Sequence, residues 1–199
     1  MKSPSLRVYA IAYLVFLYAP IILLPVFAFN DATVIAFPLS GVTTGWFAKL
    51  LEEPALHGAL KNSLIIAVCS SLLATTLGIF AARATTRYRF PLKAGIMGLV
   101  MLPLVLPEII LAVALLTVLL GVGVPLSIFT VILGHVLVCT PFAIAILSAA
   151  FQALDQSLEE AAYDLGEGPV STFRLIILPL VMPGIISSLL ITFTISLDE

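Results

Sequence analysis

Few residues in this chain could do chemistry, and their surroundings decide what kind. The ionisable groups set in long apolar runs are Glu108, His135, Asp198 and Glu199. A charged side chain facing lipid costs at least about 2.5–3.5 kcal/mol, so such groups should face a cavity or a partner helix. Glu108 lies about halfway along its run, directly after Pro107 and five residues past Pro103. Prolines inside a span loosen the helix and free carbonyls for water or ligand. Two readings of Glu108 follow: a group that lines a pore or touches a substrate, or a structural acid bonded to a neighbouring helix; Asp198 and Glu199, in the fifth span, are candidates for the same pore or substrate role. His135, beside Gly134, reads as a hydrogen-bonded packing residue, because no acid accompanies it at metal-ligand spacing. Cys69 and Cys139 both sit in apolar runs and read as small buried hydrophobes. No nucleophile stands with a base, and neither H-E-x-x-H nor G-x-x-x-x-G-K-[ST] occurs. No catalytic residue, bound metal or cofactor is therefore expected, and any ATP must be bound by another polypeptide.

The elements that position these groups must lie in a bilayer. Of 199 residues, 61% are hydrophobic and 10% charged, against roughly 25% charged in soluble domains. Apolar runs cover residues 8–29, 63–82, 94–120 and 127–150, and a last one begins near 184. The first run follows Lys2 and Arg7 as a secretory signal would, but it exceeds the apolar core of such signals and reads as a retained span. Pro20 and Pro25 should kink its far end. Gly121 to Pro125 form a tight turn, and Trp46-Phe47 fits a short helix at the membrane interface. No basic stripe flanks exposed aromatics, which excludes nucleic acid as a partner.

Sidedness follows from the basic residues. Lys2, Arg7, Arg83, Arg87, Arg89, Lys93 and Arg174 fall on one side, and only Lys49 and Lys61 on the other. The first side, with the N-terminus, is therefore cytoplasmic. Arg87-Tyr88-Arg89 reads as an anchor at the lipid headgroups. From Gly184 to Glu199 a helix extends about 24 Å, short of a hydrocarbon core of about 30 Å. The fifth span should accordingly continue past Glu199. The expected fold is all-α: a polytopic transmembrane helical bundle, one permease-like domain over 1–199, with five spans begun here and six in a complete protein.

Residues 151–183 are too polar to enter lipid. Ser157-x-x-Glu160 has the form of a capping box. Leu158, Ala161, Ala162 and Leu165 follow at helical spacing as one apolar stripe, with Glu159, Glu160, Tyr163 and Asp164 off it. Gly166 is placed to end this helix in a left-handed cap, and Gly168-Pro169 turns the chain. A second helix is expected over 171–178, stopping at Pro179, with Pro183 opening the next span. Such a cytoplasmic helix pair is available to dock in a partner's groove.

Glu160-Ala161-Ala162, three residues, Gly166, nine residues, then Ile176-Ile177-Leu178-Pro179 resembles the EAA loop of bacterial ABC importer permeases in both residues and spacing. Phe29-Asn30, Trp46-Phe47, Asn62-Ser63, Arg87-Tyr88-Arg89-Phe90 and the run from Leu102 through Pro107-Glu108-Ile109 are similar to the second permease subunit of spermidine/putrescine-type importers. The resemblance implies a pore-forming subunit in the bacterial inner membrane, and ATP hydrolysis by a separate cytoplasmic ATPase dimer. It also implies a second permease subunit and an extracytoplasmic solute-binding protein. Glu160, Ala161, Ala162, Gly166, Ile176, Leu178 and Pro179 would form the coupling element. Glu160 would make the polar contact, the alanines would allow close approach, and Gly166 would permit the turn.

The substrate class rests on charge. The ionisable groups at membrane depth are acidic, with no lysine or arginine to match, so a cavity they line should attract cations and repel anions. A small cationic amine is expected. Permeases of the same class for phosphonate, opine, thiamine or iron are the alternatives. An ion-gradient-driven secondary transporter would be favoured by inverted repeats and broken helix pairs, and no convincing internal repeat is present.

Overall fold

A computed structural model describes residues 4–199; Lys2 lies outside them. Every named element among the described residues is helical, as the composition requires. The chain divides into two compact units at Ala59–Leu60.

In the first unit, α1 (Pro4–Ala28) runs unbroken through Pro20 and Pro25 and buries none of its residues. Its exit is tightly organised. Asn30 is buried; its Oδ1 accepts from the Ser40 amide at 3.1 Å and its carbonyl accepts from Trp46 Nε1 at 2.8 Å. The Phe29 and Phe47 rings pack at 5.3 Å. Phe29-Asn30 and Trp46-Phe47 are thus two halves of one joint, which seats the short helix α2 (Gly45–Leu51).

The second unit is built on three long helices. α3 (Pro54–Arg87), which crosses the boundary between the units and lies mostly in the second, has 34 residues, about 51 Å at 1.5 Å per residue. That is longer than a hydrocarbon core of about 30 Å, and Arg83 and Arg87 lie in its last two turns. α6 (Ile128–Gln152) opens on a capping box in which Ser127 and Thr130 satisfy each other's amides. The third long helix is the last in the chain. Glycine lets these helices approach closely. A Cβ on Gly78 would lie 2.8 Å from Ala143 Cβ, and one on Gly184 2.5 Å from Ala150 Cβ. Around these contacts Ala82, Ala143, Leu147, Phe151, Ile177, Val181 and Ile185 form the buried core. Interhelical hydrogen bonds join it: Thr75 with Ser188 at 3.1 Å, and Cys139 Sγ to the Thr192 carbonyl at 3.5 Å. Small residues and buried hydroxyls hold helices together where lipid removes the usual hydrophobic contrast.

Two expectations about the apolar runs and their boundaries need correction. The run at 94–120 is not one straight helix. It comprises α4 (Lys93–Met101), a tight turn (Leu102–Leu104) and α5 (Glu108–Gly121), bent by 104°. Pro107, at ψ 129°, takes the backbone out of the helical region, so Glu108 opens α5 instead of sitting mid-helix. Four helices are long and apolar enough to span a membrane, or five if the bent pair is one span. The second correction concerns Pro179 and Pro183, which do not break the chain into separate helices. After α7 (Ser157–Asp164) the backbone is helical from Pro169 to Asp198, as α8 (Pro169–Thr172), a wider π-turn (Phe173–Ile177) and α9 (Leu178–Asp198). The widened turn precedes Pro179, where a missing amide donor can be absorbed without a break.

Candidate functional site

The polar end of the second unit is organised by α7. Its start is not the expected capping box. Ser157 is already helical, and its amide donates to Asp155 Oδ1 at 2.9 Å. Hydrogen bonds from Ser157 hold the Asp155 carboxyl below its usual range. The expected stop does form. Gly166 has φ +87°, its amide bonds the Tyr163 carbonyl at 2.9 Å, and the Glu167 amide bonds the Ala162 carbonyl at 3.0 Å. These are the paired bonds of a Schellman cap, which needs a left-handed residue at this position.

The buried face of α7 differs from the apolar stripe. Glu159 and Ala162 are buried, whereas Leu158, Ala161 and Leu165 are exposed, Leu165 at 85%. Three of the four stripe residues point outward, and the helix is fastened by an ion pair beside the buried methyl group of Ala162. Glu159 is gripped by Arg83, Nη1 to Oε1 and Nη2 to Oε2 at 2.6 Å each, and by Arg87 Nε at 3.2 Å. The Arg83 hydrogen bond holds the Glu159 carboxyl below its usual range, against the opposing effect of burial. Arg87 also donates to Gln156 Oε1 at 2.9 Å and so is part of this cluster. Sequence reasoning passed over Glu159 and Arg83, whose separation of 76 positions hides the contact.

Glu160 and Ala161 are exposed on α7, Ala162 is buried, and Gly166 is exposed. Ile176 and Leu178 are half-buried and Pro179 is exposed, while Ile177 between them enters the core.

The ionisable groups expected at membrane depth lie in the same unit. A cavity of about 300 Å³ is lined by Glu108, His135, Ser196 and Glu199 amid apolar side chains of α5, α6 and α9. His135 Nδ1 and Ser196 Oγ are 2.7 Å apart, the expected packing contact. Glu108, just after the bend at Pro107, thus shares this cavity with His135 and Glu199. Asp198 is exposed and lies outside this lining.

Helices long and apolar enough to span a membrane, a bent helix pair among them and a polar helix with an apolar outer face are features of a membrane-embedded protein. The comparison with known proteins agrees: residues 74–199 match the family described as binding-protein-dependent transport system inner membrane component, and the chain belongs to that family. It is a pore-forming permease subunit of the ABC importer type. The putrescine transport system permease protein PotI of Escherichia coli K12 is 36% identical over 206 residues, covering 100% of this chain and 73% of PotI. The spermidine/putrescine transport system permease protein PotC of the same strain is 34% identical over 184 residues, covering 92% and 69% of the two chains. Among solved structures, a bacterial ABC transporter involved in the import of the acidic polysaccharide alginate has the same fold, at TM-score 0.72 and 22% identity, over 98% of this chain and 72% of that one.

Proposed function

We propose that this chain forms half of the membrane pathway of an ATP-driven importer for small cationic amines, of the putrescine or spermidine kind. The carrying observation is the outward apolar face of α7, made by Leu158, Ala161 and Leu165. An exposed apolar stripe at the polar end of a bundle calls for a partner, and in this class the partner is a cytoplasmic ATPase dimer. Glu160 supplies a charge beside that stripe, and Gly166 sets the angle at which α7 leaves it. Ile176, Leu178 and Pro179 carry the motion into α9. ATP hydrolysis resides in the partner. A second permease subunit and a solute-binding protein complete the assembly.

The amine reading is supported by Glu108 and Glu199 in a cavity lined by no lysine or arginine, and by the substrates named for PotI and PotC. The contact of Arg83 and Arg87 with Glu159 supports placing residues 83–93 and 151–183 on one side of the membrane; the basic residues make that side cytoplasmic. The test is uptake of labelled putrescine, sulfate and an aminophosphonate by cells with and without the protein. Loss of putrescine uptake alone is expected on deletion, and loss of only an anion's uptake would refute the amine reading.

A further inference from the structure

One cluster belongs neither to the outward face of α7 nor to the cavity. Glu159 lies in the first turn of α7 with its side chain 6% exposed. Two guanidinium groups one helical turn apart on α3 close on it. α7 has only eight residues and buries two of them, Glu159 and Ala162. A helix so short does not hold its shape or direction unaided. A buried ion pair is weak evidence of stability. The parallel fork of Arg83 on one carboxylate, however, fixes orientation as a single point contact does not. Arg87 adds a second hold by bonding both Glu159 and Gln156, the residue that precedes α7. The cluster therefore joins the start of α7 to the end of the 34-residue helix α3. Covalent connection alone would link α7 only to α6 and α8.

We infer that Glu159, Arg83 and Arg87 are positioning residues that make α7 and the end of α3 move as one body, so that displacement of α7 by the ATPase is delivered to α3 within the membrane. This rests on the coupling role proposed for α7. Ala162 seats the helix against the bundle, and the ion cluster sets its direction. Loosening the cluster would let α7 rock on its partner while α3 stays still. Hydrolysis would then continue with less transport.

The test uses the complete importer, with its second permease, ATPase and binding protein, in proteoliposomes. Glu159→Gln, Arg83→Gln and the double variant are compared by putrescine taken up per ATP hydrolysed, at equal amounts of assembled complex. Each single variant should lower that ratio roughly tenfold or more, the scale of a misplacement away from the working centre. The double should be no worse than either single, because one joint is broken only once. Arg87→Gln should give a smaller loss. An unchanged ratio in Glu159→Gln, losses that multiply in the double, or failure of all variants to assemble would overturn the inference. Absence of ATP-dependent uptake by the unaltered complex would instead contradict the import reading, and the joint with it.

Discussion

Arg83 and Glu159 meet through two parallel hydrogen bonds of 2.6 Å, across 76 positions of sequence, at the one place where α3 reaches α7 by its polar side chains among the described residues. This contact has a pH signature. The Glu159 carboxyl is held below its usual value, chiefly by the Arg83 hydrogen bond. Its stabilisation is therefore present above the unfolded value, about 4.3, and is lost as pH falls through the lower folded value. In detergent, Glu159→Gln should destabilise the protein by roughly 1–3 kcal/mol at neutral pH. The difference from the unaltered protein should vanish in acid. Thermal unfolding of both proteins across pH checks this, and a difference that grows on acidification would refute it.

The cap of α7 depends on Gly166 for backbone reasons alone. A Cβ there meets nothing within 4 Å, yet φ is +87°. Gly166→Ala should cost about 1–2 kcal/mol of local stability without disturbing membrane insertion. Hydrogen exchange at Gly166 and Glu167 should accelerate, and uptake should fall. Unchanged exchange would show that the cap is not needed.

Helix packing gives a sharper contrast. Gly184→Ala and Gly78→Ala drive a methyl group to 2.5 Å and 2.8 Å from an alanine Cβ. Each should destabilise by about 1–3 kcal/mol through overpacking. Gly58→Ala, with nothing within 4 Å, should be neutral or slightly stabilising. Melting temperatures of the three variants test the close approach of α3 and α9 to α6.

The bilayer made much of the fold legible. Spans had to be long and apolar, and basic residues had to fall on alternate loops, so composition alone located α1, α3 and α6. Gly166 was readable because few residues tolerate its backbone. Pro103 and Pro107 announced a weakened helix, but not the 104° bend just before Glu108 or the cavity it shares with His135 and Glu199. The orientation of α7 was hidden for a different reason. An apolar stripe records which face is to be buried, but not against what. Here Leu158, Ala161 and Leu165 face away from the chain's own bundle, and the inward face is held by a carboxylate whose partners are distant in sequence.

Sidedness is open to direct labelling. Cysteines at Arg89 and Gly168 should react only with reagent on the cytoplasmic side, and one at Glu53 only from outside. Reaction of Arg89→Cys from outside would reverse the whole arrangement, because alternate loops are linked.

The central claim is that α7 meets the ATPase through its outward face, and neighbouring positions test it most directly. Ala161 is exposed and Ala162 is 3% exposed. In membranes containing the complete importer, Ala161→Cys should crosslink to a cysteine in the ATPase cleft and, once crosslinked, block ATP-dependent uptake. Ala162→Cys should not crosslink. Crosslinking at Ala162 but not Ala161, or full transport with Ala161→Cys crosslinked, would contradict the account.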